Sequence, residues 1–442
     1  MFGSIVARVR ASSTGAALLR TGALTGAGFV ISLVRDMTLA ATYGGSASLD
    51  VFFVALGPTL YWGTESANLA YLGTMPQLAA HRTRTPPPRL IVAVLGVAVL
   101  SATGLAAVAA LAPAAIAPGL VALGERRELV TAVGALGLLI PLLTLGGLLR
   151  ATLELAGRFS FWAALPAFRS TGVGVLALAT AGASTATWLV AGVLAGVSAW
   201  LIFGVGLVRR LREEPRDKAA AVLMTPLGSS VIPLILMILI GQLAGLADNH
   251  FASQLGVGRV QGYALAVNLL AVPQGLVGGV VAAVYFPAFA VACARGTRLE
   301  AIVALHRALR LTTYGMLPAI VIFASPLGAC VTDIIYGRGQ YGKDLTSLTA
   351  SCAAALALGQ LGFAVLMLQR QLLIAARTPW PVVLSVVLFV VLKIGGNALL
   401  IGPFGLAGIA LASSIASVAA AIALAVPVRR ALLRIPAIRS AS

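Results

Sequence analysis

Charge is what this 442-residue chain has least of: Asp, Glu, Lys and Arg together make up 10% of it, against 60% apolar residues. Ordinary soluble domains carry about 25% charged residues, and a chain this poor in them cannot cover a globular surface. Lysine occurs three times, and never before Ser or Thr: Lys218 precedes Ala, Lys343 precedes Asp and Lys393 precedes Ile. A phosphate-cradling P-loop is thereby excluded, and with it ATP hydrolysis by that route. The three histidines, His81, His250 and His306, lie too far apart in sequence for a metal site. Cys293, Cys330 and Cys352 are odd in number and form no Cys-x-x-Cys pair, so they read as small core residues. With no nucleophile elbow either, an enzyme would need a site that the sequence does not show.

What the chain does have is apolar sequence gathered into runs of 18 or more residues, separated by short arginine-bearing gaps. That pattern marks an all-α polytopic membrane protein. About twelve spans fit, at 16–42, 50–78, 90–116, 129–149, 160–183, 185–208, 220–247, 260–292, 311–332, 346–368, 380–402 and 405–428. The first contains Arg35 and Asp36 and is longer than a cleavable leader, so it reads as a retained signal anchor.

The 31 basic residues outnumber 13 acidic ones, a balance that in a soluble chain would suggest nucleic acid. Their placement argues otherwise. With the N-terminus inside, 23 fall in cytoplasmic segments, 5 in the opposite loops, and Arg35, Arg169 and Lys393 within spans. This is the positive-inside pattern of a multi-pass cytoplasmic-membrane protein with both termini in the cytoplasm. The basic residues are spread over seven loops with few aromatics between them, so no nucleic-acid partner is expected.

A charge at mid-bilayer costs at least about 2.5 kcal/mol and persists when paired or facing water, which makes the intramembrane polar residues the functional candidates. Arg35 and Asp36 in the first span and Asp50 and Glu65 in the second should face a common cavity, with Arg35 pairing with Asp50 or Glu65. Arg169 and Lys393 occupy matching places in the fifth and eleventh spans, and Lys393 could either line a cavity or snorkel. Arg150, Glu154 and Arg158, at i, i+4 and i+8, suit mutual pairing near the cytoplasm. Asp248 and Asn249 read as an interface cap. Asn268 in the eighth span is neutral and cheap to bury.

Two weak internal matches suggest repetition. Ala41–Gly45 with Asp50-Val-Phe52 can be laid on Ala252–Gly256 with Gln261-Gly-Tyr263, an offset of 211, and Arg158–Trp162 on Arg377–Trp380, near 219. Together they divide the chain into an N-lobe at 1–208 (spans one to six), a cytoplasmic linker at 209–219 and a C-lobe at 220–442. Six spans per lobe make the repeats parallel.

Leu33-Val-Arg-Asp36, the Tyr43-Gly-Gly45 turn and Leu49–Ala55 resemble the opening of the MurJ/MviN lipid II flippases, in the multidrug/oligosaccharidyl-lipid/polysaccharide exporter superfamily. The likeness continues in Gly157-Arg-Phe159, Pro166-Ala-Phe168, Pro273–Gly278, Ile335–Tyr341, Arg377-Thr-Pro379 and Ile401–Gly405, in family order. The resemblance implies two six-helix lobes around a hydrated cavity that opens alternately to each side. It also implies a polyprenyl-linked saccharide cargo, membrane lipids and cell-wall or polysaccharide synthesis enzymes as partners, and no cofactor, with a membrane potential or ion gradient as driving force. By position, Arg35 would be a pyrophosphate contact or gate residue and Asp50 its partner.

The sequence departs from the family at Phe29, at Tyr61-Trp62 and at Asn268, where the family places arginines, and it ends after the twelfth span. Three functions follow: a flippase for a lipid-linked saccharide, a cation-coupled small-molecule exporter with an acidic pocket, and a non-transporting envelope scaffold. The intact Arg35 favours the first, and the missing arginines the other two.

Overall fold

The computed structural model describes residues 13–81, 88–156, 158, 160–180, 185–211, 231–376 and 378–435, and among these every regular element is helical apart from one isolated bridge residue. The α-helices longer than five residues are α1 Ser13–Tyr43, α2 Ala47–His81, α3 Pro88–Leu111, α4 Arg126–Gly137, α5 Leu139–Leu155, α6 Leu165–Ala179 and α7 Thr187–Leu211, then α8 Val231–Ser253, α9 Arg259–Pro273, α10 Val280–Arg295, α11 Arg298–Ala324, α12 Pro326–Tyr336, α13 Lys343–Ala375, α14 Trp380–Phe404 and α15 Leu406–Arg434. Helix is the outcome lipid imposes, because only an internally hydrogen-bonded backbone tolerates hydrocarbon.

Among the described residues, ten helical segments are long and apolar enough to cross a membrane, or eleven if α11 and α12, bent by 82° at their junction, form one broken span. The expected second span is missing from that set although α2 is 35 residues long. Its first half is apolar, but Thr59, Tyr61, Trp62, Thr64, Glu65 and Asn68 make the second half too polar to qualify.

The chain divides into two compact units, one from Met1–Pro113 and Val121–Leu227, the other from Ala114–Leu120 and Gly228–Ser442. Residues 212–230, which include most of the expected linker, lie outside the described residues, as do Gly157, Phe159 and Arg377. Arg209 and Arg210, assigned to that linker from sequence, instead belong to the last turn of α7, where cations suit the helix dipole.

Each unit pairs its helices alike. The first packs on the fifth (α1 on α6; α8 on α14), the second on the fourth (α2 on α5; α9 on α13) and the fifth on the sixth (α6 on α7; α14 on α15). The segments matched in sequence also end alike: Gly45 and Gly256 both sit in left-handed backbone, at φ of 78° and 105°, where side-chain-bearing residues are strained. After Gly45, α2 is capped by Ser46, whose Oγ accepts from the Leu49 amide at 3.2 Å.

Tight helix contacts rest on small residues. Gly192 and Gly196, four apart on α7, face Gly172 and the Phe168 carbonyl of α6, and a β-carbon at Gly192 would stand 2.8 Å from the Gly172 carbonyl oxygen. Close backbone approach of this kind is how helices associate where lipid offers no hydrophobic drive. After Pro273, α9 passes into a π-helical stretch, Gln274–Gly279, before α10. Of the cysteines, Cys352 is buried and Cys293 half-buried, but Cys330 is exposed, so the core assignment fails for Cys330. Its α12 is a short helix that buries only Gly328, Thr332 and Tyr336.

Candidate functional site

In the first unit, α1 and α6 place a charged cluster inside the bundle. Arg35 and Asp36 are 5% and 2% exposed. Residues i and i+1 ordinarily diverge on a helix, yet the long arginine curls back so that its Nε and Nη2 reach Asp36 Oδ1 at 2.9 and 2.6 Å. Its Nη1 lies 3.4 Å from Ser170 Oγ on α6, which also hydrogen-bonds Ser32 Oγ at 2.8 Å. The expected pairing of Arg35 with Asp50 or Glu65 is therefore corrected: the nearest acid is its own neighbour. Arg169, next to Ser170, is close enough to interact electrostatically with both Arg35 and Asp36. Its buried Nε has no hydrogen-bond partner among the described residues. Arg35 pairs with Asp36, and Arg169 adds a second guanidinium within electrostatic range of both, beside the Ser32 and Ser170 hydroxyls. Asp50 is fully buried one turn into α2.

A second cluster joins α2 to α5. Arg150 Nε binds Glu154 Oε1 at 2.8 Å, and Tyr71 Oη donates to Glu154 Oε2 at 2.7 Å. The Arg150 guanidinium lies over the Tyr71 ring at 4.1 Å and the Trp162 ring at 5.0 Å, a cation–π arrangement. Its Nη1 reaches Asn68 Oδ1 at 3.4 Å. Arg158, expected in this pairing, is exposed and outside it.

The second unit holds a buried charge pair that bridges two helices. Lys393 Nζ on α14 lies 2.7 Å from Asp248 Oδ2 on α8, with both side chains under 10% exposed. Tyr263 Oη of α9 donates to the same oxygen at 2.8 Å and approaches Ser413 Oγ of α15 at 3.1 Å. Asn397, one turn after Lys393, donates from Nδ2 to Asp248 Oδ1 at 3.1 Å. Lys393 is thus paired within the bundle, and Asp248 is a core ion-pair partner, not the interface cap expected from sequence. Asn268, further along α9, is half-buried and makes no side-chain hydrogen bond among the described residues.

The seven sequence candidates thus separate. Arg35, Asp36 and Arg169 meet at one place and Lys393 joins the Asp248 cluster, while Glu65 is half-buried on α2 three residues before Asn68, Asp50 is buried at the start of α2 and Asn268 is half-buried on α9. Sequence reading missed Tyr71, Trp162, Tyr263 and Asn397. Only Asn397 left a signal, its i+4 spacing from Lys393 on one helical face.

The sequence model described as lipid II flippase MurJ matches residues 68–440. No curated protein matches the chain. Among solved structures, the chain is similar to "Lipid II flippase MurJ, inward closed conformation", at 15% identity over 94% of this chain and 89% of that one, with a TM-score of 0.74. It is also similar to an inward-facing multidrug resistance MATE transporter of the MOP superfamily, at 13% identity over 92% and 95% of the two chains and a TM-score of 0.70. A third is a MOP superfamily transporter from Pyrococcus furiosus whose binding pocket is described as reversed in polarity, at 12% identity, 95% and 96% coverage and a TM-score of 0.66.

Proposed function

The chain belongs to the lipid II flippase MurJ family, and from that premise we propose that it moves a polyprenyl-linked saccharide from the cytoplasmic to the outer leaflet by alternating access. It is a multi-pass membrane transporter of the MOP superfamily. The observation that carries the cargo assignment is the Arg35–Asp36–Arg169 cluster. Its two guanidiniums, with Ser32 and Ser170 beside them, favour an anionic group such as the pyrophosphate that links lipid to sugar. A pyrophosphate and its sugars cannot cross hydrocarbon unaided, whereas the polyprenyl tail can remain in lipid. The 23-to-5 distribution of basic residues supports a cytoplasmic-membrane location with both termini inside. Without a P-loop, the driving force is an ion gradient or the membrane potential.

Complementation of a bacterial strain depleted of its own lipid II flippase tests this reading, scored by precursor accumulating on the cytoplasmic leaflet. Restored growth is expected, with loss on Arg35→Ala. Failure to complement despite normal membrane expression would remove the peptidoglycan precursor as cargo. The second reading, a cation-coupled exporter, is favoured by Glu65, a half-buried acid on α2 without an ion pair among the described residues. Drug-efflux assays with the same cells separate it from the first.

A further inference from the structure

From the face of α2 turned away from α5 we propose that the second half of this helix is a saccharide-binding platform, on which the Tyr61 ring, the Glu65 carboxyl and the Asn68 amide hold the sugar of the cargo. The proposal rests on the flippase reading, which assigns the anionic end of the cargo to Arg35, and extends it to the other end.

In the first half of α2, Leu49–Leu56 are buried on every side, and exposure begins at Gly57. Beyond that point the helix is two-sided. Gly63, Ala67 and Ala70, at i, i+4 and i+7, are buried, with Gly63 beside Leu143 and Ala67 beside Gly147 of α5. Tyr61, Glu65 and Asn68 share the same spacing, and at 3.6 residues per turn their stripe lies about 160° around the helix from that seam. The Tyr61 ring is 39% exposed, and Glu65 and Asn68 are half-buried.

Outward faces elsewhere in the protein are aliphatic. The α3 helix exposes Val92, Val97 and Leu100, and α14 exposes Leu384, Val391 and Leu399. A phenol, a carboxyl and an amide in one stripe suit water, because in hydrocarbon their polar atoms would lose solvation. This composition also selects its occupant. A flat ring with an apolar body stacks on the C–H face of a sugar, while a carboxyl accepts from hydroxyl groups and an amide both accepts and donates. An aromatic surface with a few placed polar groups is the usual make-up of a small-molecule site. Asn68 is oriented from behind, since its Oδ1 accepts from Arg150 Nη1 of α5 at 3.4 Å.

The stripe also starts at a useful depth. The Gly45 turn joins α1 to α2, and at 1.5 Å per residue Arg35 lies about 12 Å from the end of α1, while Tyr61 and Asn68 lie about 21 and 32 Å along α2. A saccharide joined to an anionic group at Arg35 thus reaches Tyr61 first and Asn68 last as it extends away from the turn.

The test uses the full chain in nanodiscs, with Cys293, Cys330 and Cys352 replaced by alanine. Tyr61→Cys and Glu65→Cys are expected to react with a hydrophilic maleimide, and Leu100→Cys on α3 is not. Should one of the first two fail to fold, the other carries the test. Labelling no faster than at Leu100→Cys overturns the water-facing platform. The occupant is tested with farnesyl diphosphate, bare or carrying one N-acetylglucosamine, galactose or glucose. At least one sugar-bearing probe is expected to slow the labelling where the bare diphosphate does not, and Tyr61→Ala to weaken that probe about tenfold while leaving the bare diphosphate unchanged. If no sugar-bearing probe protects better than the bare one, or if Tyr61→Ala weakens both alike, the saccharide assignment is overturned. Bare diphosphate that binds the parent and is lost on Arg35→Ala keeps the flippase reading standing in that event. Absence of bare-diphosphate binding in the parent removes the flippase reading's anion site, and the platform proposal with it.

Discussion

Removing the Lys393 ammonium would strand Asp248 among Tyr263 and Asn397 with no cation, and breaking a buried pair by deleting one partner costs about 3–5 kcal/mol. Lys393→Ala is thus expected to lower the thermal unfolding midpoint in detergent sharply, and adding Asp248→Asn should recover part of the loss. If the single variant unfolds like the parent, the pair contributes nothing to the fold. Arg150→Lys is a milder case, since an ammonium cannot reproduce the flat guanidinium that lies over Tyr71 and Trp162 while binding Glu154. A loss of about 1 kcal/mol is expected by the same measurement. At this scale the sequence was only half legible. That Arg35, Asp36 and Lys393 are costly in lipid followed from composition alone, but their partners did not. Asp248 looked like a cap because it stands near a helix end, and only the α8–α14 contact shows the lysine it faces.

Among the elements, α6 and α7 have the least room for change. Gly192 and Gly196 let the two backbones meet, so Gly196→Val would press a branched side chain on the Phe168 carbonyl. Overpacking of this kind costs about 1–3 kcal/mol and should appear as lowered thermal stability or poor recovery in detergent, whereas Gly206→Val, on the same helix with open space around it, should be tolerated. Equal behaviour of the two variants would contradict the packing argument. Helix positions were readable from hydropathy because lipid demands long apolar runs. The 82° bend between α11 and α12 and the π-helical stretch after Pro273 were not, because Pro, Ser and Gly mark a break without giving its angle.

At the scale of the whole chain, the repeat was visible first as two faint matches and then as the same helix pairings in each unit. Its sequence trace is faint because most positions need only be apolar, while the left-handed glycines Gly45 and Gly256 are tied to one backbone shape. The topology is open to a direct check. Reporter fusions after Arg158 and Arg298 are expected to report cytoplasm, and fusions after Arg127 and Arg338 the opposite side. Reversal of either pair would overturn the charge-based orientation.

The polar second half of α2 also bears on how the chain is made. A ribosome feeds the membrane one segment at a time, and this segment is too hydrophilic to leave the translocation channel for lipid unaided. Its partners arrive late: Tyr71 waits 83 residues for Glu154, and Ala67 waits similarly for Gly147. Until α5 emerges, α2 must be sheltered by the channel or an insertase, so the order of synthesis, and not hydrophobicity alone, sets when this helix enters the bilayer.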